Sequence, residues 1–529
     1  MKRFNTTGVC IPSKHYMVDL SERIQEIRKM VDEGKYFVIN RARQYGKTTT
    51  LNLLGKALTR DYEVISLDFQ SLGNESFQTE ESFSQELVRL ILEEQEYELI
   101  HLPDNCQEKF LDFVSDGGKN HTLADLMRLI RFWCRHSSKS VVLIIDEVDS
   151  ATNNQVFLDF LAGLRDGYIS RDTKNLPAFQ SVVLAGVTDV RHLKAKIRNE
   201  DQHKVNSPWN IAADFKIDMS LSEKGIQGML EEYENDHHTG MDTAAVAKSI
   251  RAYTSGYPFL VSRICQIIDE QICEKMNPSE AWTRCGIDEA VKQILSEKNT
   301  LFQSLAGKLI NYPELKEALR RCLMEGSRMV YNADQEYIEQ MEMYGFIRRD
   351  HGFVKIDNRI FETRLYDLFL SDEELQGSIF SSESKLTKNI FIQDGKLNMR
   401  LVMEHFIETY HQVYGPLEEK FREKDGRELF LLYLKPIING TGNYYIEAQT
   451  RDEKRTDVIV DYLGEQYIIE LKIWRGERYH EDGEKQILDY LDYFSLDTGY
   501  MLSFNFNQKK ETGVKRISIG EKVLYEGTV

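Results

Sequence analysis

The sequence predicts a multidomain α/β protein: a parallel sheet first, then a helical region, then a second and smaller α/β domain. Three observations predict it. Apolar runs at Tyr36-Phe37-Val38-Ile39-Asn40, Val141-Val142-Leu143-Ile144-Ile145 and Ser181 to Val187 alternate with stretches of helical period, as in a parallel sheet whose strands are buried on both faces. Beyond about residue 215 the helical period takes over, and beyond residue 440 strand patterns return. A chain of 529 residues also exceeds what one hydrophobic core serves.

Taken in order, residues 21–34 put Ile24, Ile27, Met30 and Val31 on one helical face. The strand ending at Asn40 is followed by a loop from Arg41 to Thr48 and a helix over Thr49–Leu58. Glu63 to Phe69 alternates as a strand, and 81–99 and 122–136 read as helices. These elements belong to a core at 1–215. Helices at 221–235, 243–253 and 258–274 form a helical lid at 216–296, with more helix across 286–324. At 297–371 helices lead into Tyr344–Arg349 and Gly352–Ile356, which flank Asp350-His351. A hairpin after helices predicts a winged-helix unit. Polar residues over Ser371–Lys388 mark a linker, bounded at 372–399. The final domain, 400–529, opens with a helix at about 398–434. Strands Tyr444–Ala448, Asp457–Tyr462, Tyr467–Lys472 and Tyr500–Asn505 follow, with a helix at 483–494 before the last.

The formal net charge of -18 argues against a surface that coats nucleic acid as a whole, while leaving room for a local basic groove. The seven cysteines contain no C-x-x-C pair and read as reduced core thiols. Met1 to Thr7 is not followed by an apolar run of signal type, and no apolar run approaches membrane-spanning length. A cytoplasmic location with no membrane partner is the expectation.

The loop Arg41-Ala42-Arg43-Gln44-Tyr45-Gly46-Lys47-Thr48 sits between a buried strand and a helix. Its last three residues match the end of the phosphate-loop pattern G-x-x-x-x-G-K-[ST], while Arg41 stands where glycine is usual. Gly46 lets backbone N–H groups close round phosphates at a helix N-terminus. Lys47 reaches the β- and γ-phosphates, the Thr48 hydroxyl ligates Mg²⁺, and Arg43 adds positive charge. Thr49 is counted with the nucleotide-binding set. Asp146 and Glu147 end the apolar strand at 141–145. There the aspartate can hold Mg²⁺, and the glutamate can orient and deprotonate the attacking water, with Asp149 as the reserve carboxylate. ATP and Mg²⁺ are therefore the expected cofactors.

Positions 8–270 resemble the AAA-like ATPases of bacterial genomes, within the signal-transduction group of P-loop NTPases. The resemblance is carried by Tyr16-Met17-Val18-Asp19, the Arg41–Thr48 loop, Asp146-Glu147, Leu184-Ala185-Gly186-Val187-Thr188, Ser207-Pro208-Trp209-Asn210 and Gly256-Tyr257-Pro258-Phe259-Leu260. Members often carry a loop of the form R-x-R-x-x-G-K-[ST]. The resemblance implies that Thr188 senses the γ-phosphate and that Gly256-Tyr257-Pro258 lies in the lid. Arg191 and Arg263 are both candidates for the arginine that completes the site.

Near the C-terminus, Asp457 starts a strand, and Glu470 and Lys472 lie two apart on the next, so they share a face. Carboxylates on neighbouring strands can hold Mg²⁺, and the lysine can position a nucleophile or stabilise developing charge. Gln486 and Tyr490 are four apart on a helix. This constellation resembles the PD-(D/E)XK nuclease superfamily, in its RecB-like branch, over about 400–529. It implies a restriction-endonuclease-like α/β domain. Asp457 and Glu470 would be its metal ligands, with Lys472 and Gln486 in the catalytic set and Glu428 the candidate acid on the first helix. Thr456 replaces the nominal proline. Two functions remain open. One is an ATP-dependent enzyme acting on DNA or RNA, as a homo-oligomer in one form. The other is a signalling ATPase switch whose terminal domain binds without cutting.

Overall fold

The computed structural model describes all residues except 1, 116–120, 188–208, 325–328, 333, 371–389, 394–395, 415–422, 439–441, 446–457, 463–464, 475–483, 486, 493–495, 506 and 508–509. Contacts divide the chain into two compact units. One comprises Met1–Asp236, Tyr257–Ser262 and Met343–Gly345; the other comprises His237–Gly256, Arg263–Glu342 and Phe346–Val529.

In the first unit, β1 (Arg3–Phe4) and β2 (His15–Tyr16) form a short parallel pair ahead of α1 (Ser21–Asp32). Then β3 (Phe37–Asn40), α2 (Lys47–Leu58), β4 (Glu63–Asp68), α3 (Glu80–Glu96), α4 (Asp104–Ser115), α5 (Leu123–His136), β5 (Val141–Asp146), α6 (Gln155–Lys174) and β6 (Ser181–Gly186) alternate as the apolar runs require. The four long strands pair in parallel in the order β3-β6-β5-β4. Every residue of β5 and β6 is buried, which is why those segments read as unbroken apolar runs. Helices α3 and α5 start at capping boxes made by Thr79 and Thr122. α4 and α6 were not among the helices expected from periodicity. α6 buries Phe157, Phe160, Leu161 and Leu164, but Gly163 and Gly167 interrupt its pattern. α7 (Glu223–His237) closes the stretch up to Asp236.

The second unit holds α8 (Thr243–Thr254), the C-terminal half of α9 (Pro258–Ile267), α10 (Pro278–Ala281), α11 (Arg284–Ser296), α12 (Thr300–Asn311), α13 (Pro313–Met324) and all of α14 (Glu336–Met343) but its last residue. The antiparallel hairpin of β7 (Ile347–Asp350) and β8 (Phe353–Ile356) follows, then α15 (Arg359–Leu370). Residues 371–389, most of the expected linker, lie outside the described residues. After the small pair β9 (Ile392–Gln393) and β10 (Lys396–Leu397), two helices are described where one was expected: α16 (Met399–Tyr414) and α17 (Glu423–Ile438). A sheet of six strands completes the unit: β11 (Gly442–Tyr445), β12 (Val458–Tyr462), β13 (Glu465–Ile473), β14 (Thr498–Phe504), β15 (Gly513–Ile519) and β16 (Lys522–Thr528), in the order β11-β12-β13-β14-β16-β15. β15 and β16 went unpredicted. β15 is an edge strand with no buried residue, so its sequence carries little apolar alternation.

Within this unit the helices are bonded to the sheet. The Tyr253 hydroxyl on α8 lies 2.7 Å from Asp288 Oδ1 on α11 and 3.2 Å from Asp461 Oδ2 on β12. Gln466 Nε2 donates to Asp461 Oδ1 at 2.5 Å, and Arg284 Nε stands 3.9 Å from Asp288 Oδ2. Burial, and then the neighbouring Asp461, push the Asp288 carboxyl up to about 7. Burial also raises Asp461, against Gln466, Arg284, Tyr253 and Arg359. On α15, Asp367 Oδ1 pairs with Lys435 Nζ at 3.0 Å, and Thr363 Oγ1 donates to the Tyr444 carbonyl at 3.4 Å.

Candidate active site

Between β3 and α2 the chain turns through two left-handed residues, Gln44 (φ 56°) and Gly46 (φ 78°). Only glycine takes this conformation without steric penalty, so Gly46 is fixed by the backbone itself. Lys47 is 5% exposed. Its Nζ donates to the carbonyls of Arg41 at 3.0 Å and Ala42 at 3.1 Å, so the ammonium closes the loop on itself. Burial lowers its pKa, while Glu147, Asp149 and Asp146 pull it back up. Parallel pairing of β6 with both β3 and β5 puts the loop and the acidic strand end on the same edge of the sheet. Thr48 is exposed on the first turn of α2, and Arg43 is exposed on the loop. The Thr49 side chain is buried, and its hydroxyl accepts the N–H of Cys10 at 3.1 Å, so that oxygen serves the N-terminal segment.

Arg41, which replaces the usual glycine, has structural work. Its guanidinium donates to the carbonyls of Asn40 and Ile217, both at 2.9 Å, and lies 5.4 Å over the Phe215 ring. The residue thus anchors the segment around 215–217 beside the loop.

β5 delivers Asp146 beside Asp68, its register partner at the end of β4. Asp146 is buried, and its Oδ1 accepts the Glu147 N–H at 2.9 Å. Glu147 takes φ 52°, a conformation costly for a residue with a side chain. Burial pushes its carboxyl above the ordinary glutamate value; Asp146 and Asp149 add to this, and Lys47 and Arg43 oppose it. A carboxyl poised higher is a better proton acceptor near neutrality. Asp149 Oδ2 accepts the Val187 N–H at 2.6 Å, tying this turn to the end of β6. Thr188 and Arg191 lie outside the described residues. Arg263 is held by Glu297 and by Gln266 at 2.8 Å. Among the described residues no cluster of three or more His, Cys, Asp or Glu could hold a metal by itself. The oxygens of Thr48 and Asp146 fit Mg²⁺, which binds through one or two protein ligands, substrate phosphates and water.

In the second unit, Glu470 and Lys472 share a face of β13, with Lys472 Nζ 3.5 Å from Glu470 Oε1. Glu470 is 1% exposed. Asp457 and Gln486 lie outside the described residues. Tyr490 is buried, and Glu428 is half-buried on α17. Carboxylate oxygens beside a lysine fit a hard divalent ion and an anionic substrate.

Residues 5–372 match the AAA-like domain family. The chain belongs to the AAA-like family. It is a P-loop ATPase, and residues 441–517 match the PD-(D/E)XK nuclease superfamily. Among solved structures, the chain is similar to the Walker-type ATPase of Pyrococcus abyssi, at 12% identity and TM-score 0.46, over 68% of this chain and 99% of that one. It is also similar to the Aeropyrum pernix Orc1 protein in complex with DNA, at 11% identity and TM-score 0.30, over 66% and 93%. A third is Thermotoga maritima RuvB, at 12% and 0.32, over 64% and 92%. No curated protein matches the chain. Among the described residues no helix is long and apolar enough to cross a membrane.

Two features of this AAA-like ATPase escaped the sequence. Tyr257, in the Gly256-Tyr257-Pro258 stretch, donates its hydroxyl to the Arg43 carbonyl. Ser503, register partner of Lys472 on β14, is 1% exposed, and its hydroxyl makes no hydrogen bond among the described residues. A serine in an apolar strand carries no sequence signal; only the register places it beside Lys472.

Proposed function

We propose that this AAA-like ATPase couples ATP turnover at the phosphate loop to Mg²⁺-dependent action of its C-terminal domain on DNA or RNA. The observation that carries the reading is the gathering of Lys47 with Asp146 and Glu147, in a chain that also carries Glu470 and Lys472 on one strand face. Lys47 leaves its loop carbonyls for the β- and γ-phosphates. Glu147 takes a proton from water. Thr48 and Asp146 would hold Mg²⁺, which neutralises phosphate charge when bound. At the C-terminal site Asp457 and Glu470 would hold the metal, which lowers the pKa of bound water, while Lys472 and Gln486 orient the phosphate and its attacker. Thr188 is the γ-phosphate sensor, and the winged-helix unit at 297–371 is the contact for nucleic acid or for a second copy in a homo-oligomer.

A second reading, a nucleotide switch whose terminal domain binds without cutting, draws on charge. Residues 421–529 hold 16 Lys and Arg against 20 Asp and Glu, the opposite of an electrostatic footprint for nucleic acid. The deciding experiment is a Mg²⁺-dependent cleavage assay on single- and double-stranded DNA and RNA, with and without ATP. Cleavage that requires Mg²⁺ and changes with ATP supports coupling. Its absence on all four substrates, with ATP hydrolysis intact, supports the switch.

A further inference from the structure

The carbonyls of successive loop residues turn two different ways. Those of Arg41 and Ala42 accept from Lys47 Nζ. The carbonyl of Arg43 accepts instead from the Tyr257 hydroxyl. A trans peptide sets its C=O and the following N–H in opposite directions, and no cis peptide occurs among the described residues. The N–H of Gln44 therefore points away from Tyr257. Gln44 itself is left-handed, at φ 56°, so this stretch of backbone is held against its own preference.

What holds it is a small clasp. Tyr257 is 1% exposed, and its ring meets Tyr45 edge-on at 4.7 Å between centroids. Gly345, at φ 78°, approaches so closely that a Cβ there would stand 2.7 Å from the Cβ of Ala42. Pro258 lies 3.9 Å from where a Gly46 side chain would begin. Two sequence-distant segments, Tyr257–Ser262 and Met343–Gly345, are thus part of the same compact unit as the loop.

We infer that Tyr257 is a positioning residue of the phosphate loop: by holding the Arg43 carbonyl it aims the Gln44 N–H into the cradle, at the β/γ end where Lys47 acts. This rests on the reading of the loop as the ATP site. Lys47 Nζ, the group that reaches the β- and γ-phosphates, lies against the Arg41 and Ala42 carbonyls, so the loop residues just after them flank the outer phosphates. Losing the Gln44 donor should therefore penalise a nucleoside triphosphate more than a diphosphate.

The test uses the full chain with Tyr257→Phe, which keeps the ring and removes the hydroxyl. Fluorescent analogues of non-hydrolysable ATP and of ADP are titrated, and kcat and KM for ATP are measured. The expected result is about fivefold weaker binding of the ATP analogue, the size of one net hydrogen bond. ADP affinity should stay within about twofold, and kcat should fall. Gly345→Ala, whose added Cβ would stand 2.7 Å from the Cβ of Ala42 and 3.9 Å from the Tyr257 ring, should give the same selective loss. Equal weakening of ATP and ADP would overturn the inference, because it would mean general loosening. Wild-type binding of both by Tyr257→Phe, while Lys47→Ala binds neither, would also overturn it and leave the ATP site standing. Wild-type binding by Lys47→Ala would instead remove the site itself.

Discussion

Replacing Asp461 by Asn should strengthen the bond between helix and sheet in the second unit, increasingly so as pH rises from about 4 to about 7. A single phenol proton serves two carboxylates there: Tyr253 stands 2.7 Å from Asp288 and 3.2 Å from Asp461. It can donate to one; the other is favourable only if it carries its own proton. The charged groups around the pair are Arg284 on α11 and Arg359 on α15. The Asp288 carboxyl is raised to about 7 from an ordinary 3.8. A carboxyl raised on folding stabilises the folded state fully below its unfolded value, and that contribution is lost as pH rises through the folded one. The window here runs from about 4 to about 7. At roughly 1.4 kcal/mol per pH unit the loss approaches 4 kcal/mol as an upper bound, or about a thousandfold in a local opening equilibrium. Asn at 461 removes one charge and lets an amide donate to the phenol oxygen. Hydrogen exchange of peptides covering α8, α11 and β12 reads this directly, with variant and wild type compared at each pH from 5 to 9. Protection in the variant should exceed wild type by tens- to hundredsfold at pH 8–9, and the excess should shrink towards pH 5. A ratio that stays constant across the range would refute the shared-proton account.

Glu147→Gln should keep ATP bound while turnover falls by about 10²- to 10⁴-fold, since an amide cannot accept the proton; an unchanged rate would move the role to another carboxylate. Asp457→Ala and Glu470→Ala should each abolish Mg²⁺-dependent cleavage, and Lys472→Ala should impair it, with ATP hydrolysis retained in all three. Cleavage surviving both carboxylate changes would mean the active site is elsewhere. Arg41→Gly, which restores the usual loop residue, should lower the thermal midpoint, because the bonds to Ile217 and the ring of Phe215 are lost. The cost should be about 1–3 kcal/mol, and a midpoint at or above wild type would show that Arg41 anchors nothing.

The phosphate loop, the acidic strand end and the paired Glu470 and Lys472 were legible from sequence because each is local. A glycine at φ 78° beside a lysine, carboxylates just past a buried strand, and two side chains two apart on a strand follow from short-range geometry. The buried strands announced themselves as apolar runs for the same reason. What only the tertiary structure decided are relations between segments far apart in the chain. Arg41 reads as a defect in the loop until Phe215 and Ile217 lie against it. The bond between the Thr49 hydroxyl and the Cys10 N–H joins residues far apart in the chain. Ser503 meets Lys472 only through strand register, and Tyr253, Asp288 and Asp461 become one group only when α8, α11 and β12 meet. Local periodicity specifies which faces are apolar. It carries no information about which distant polar atom will stand within 3 Å of which, because that distance is set by packing of whole elements.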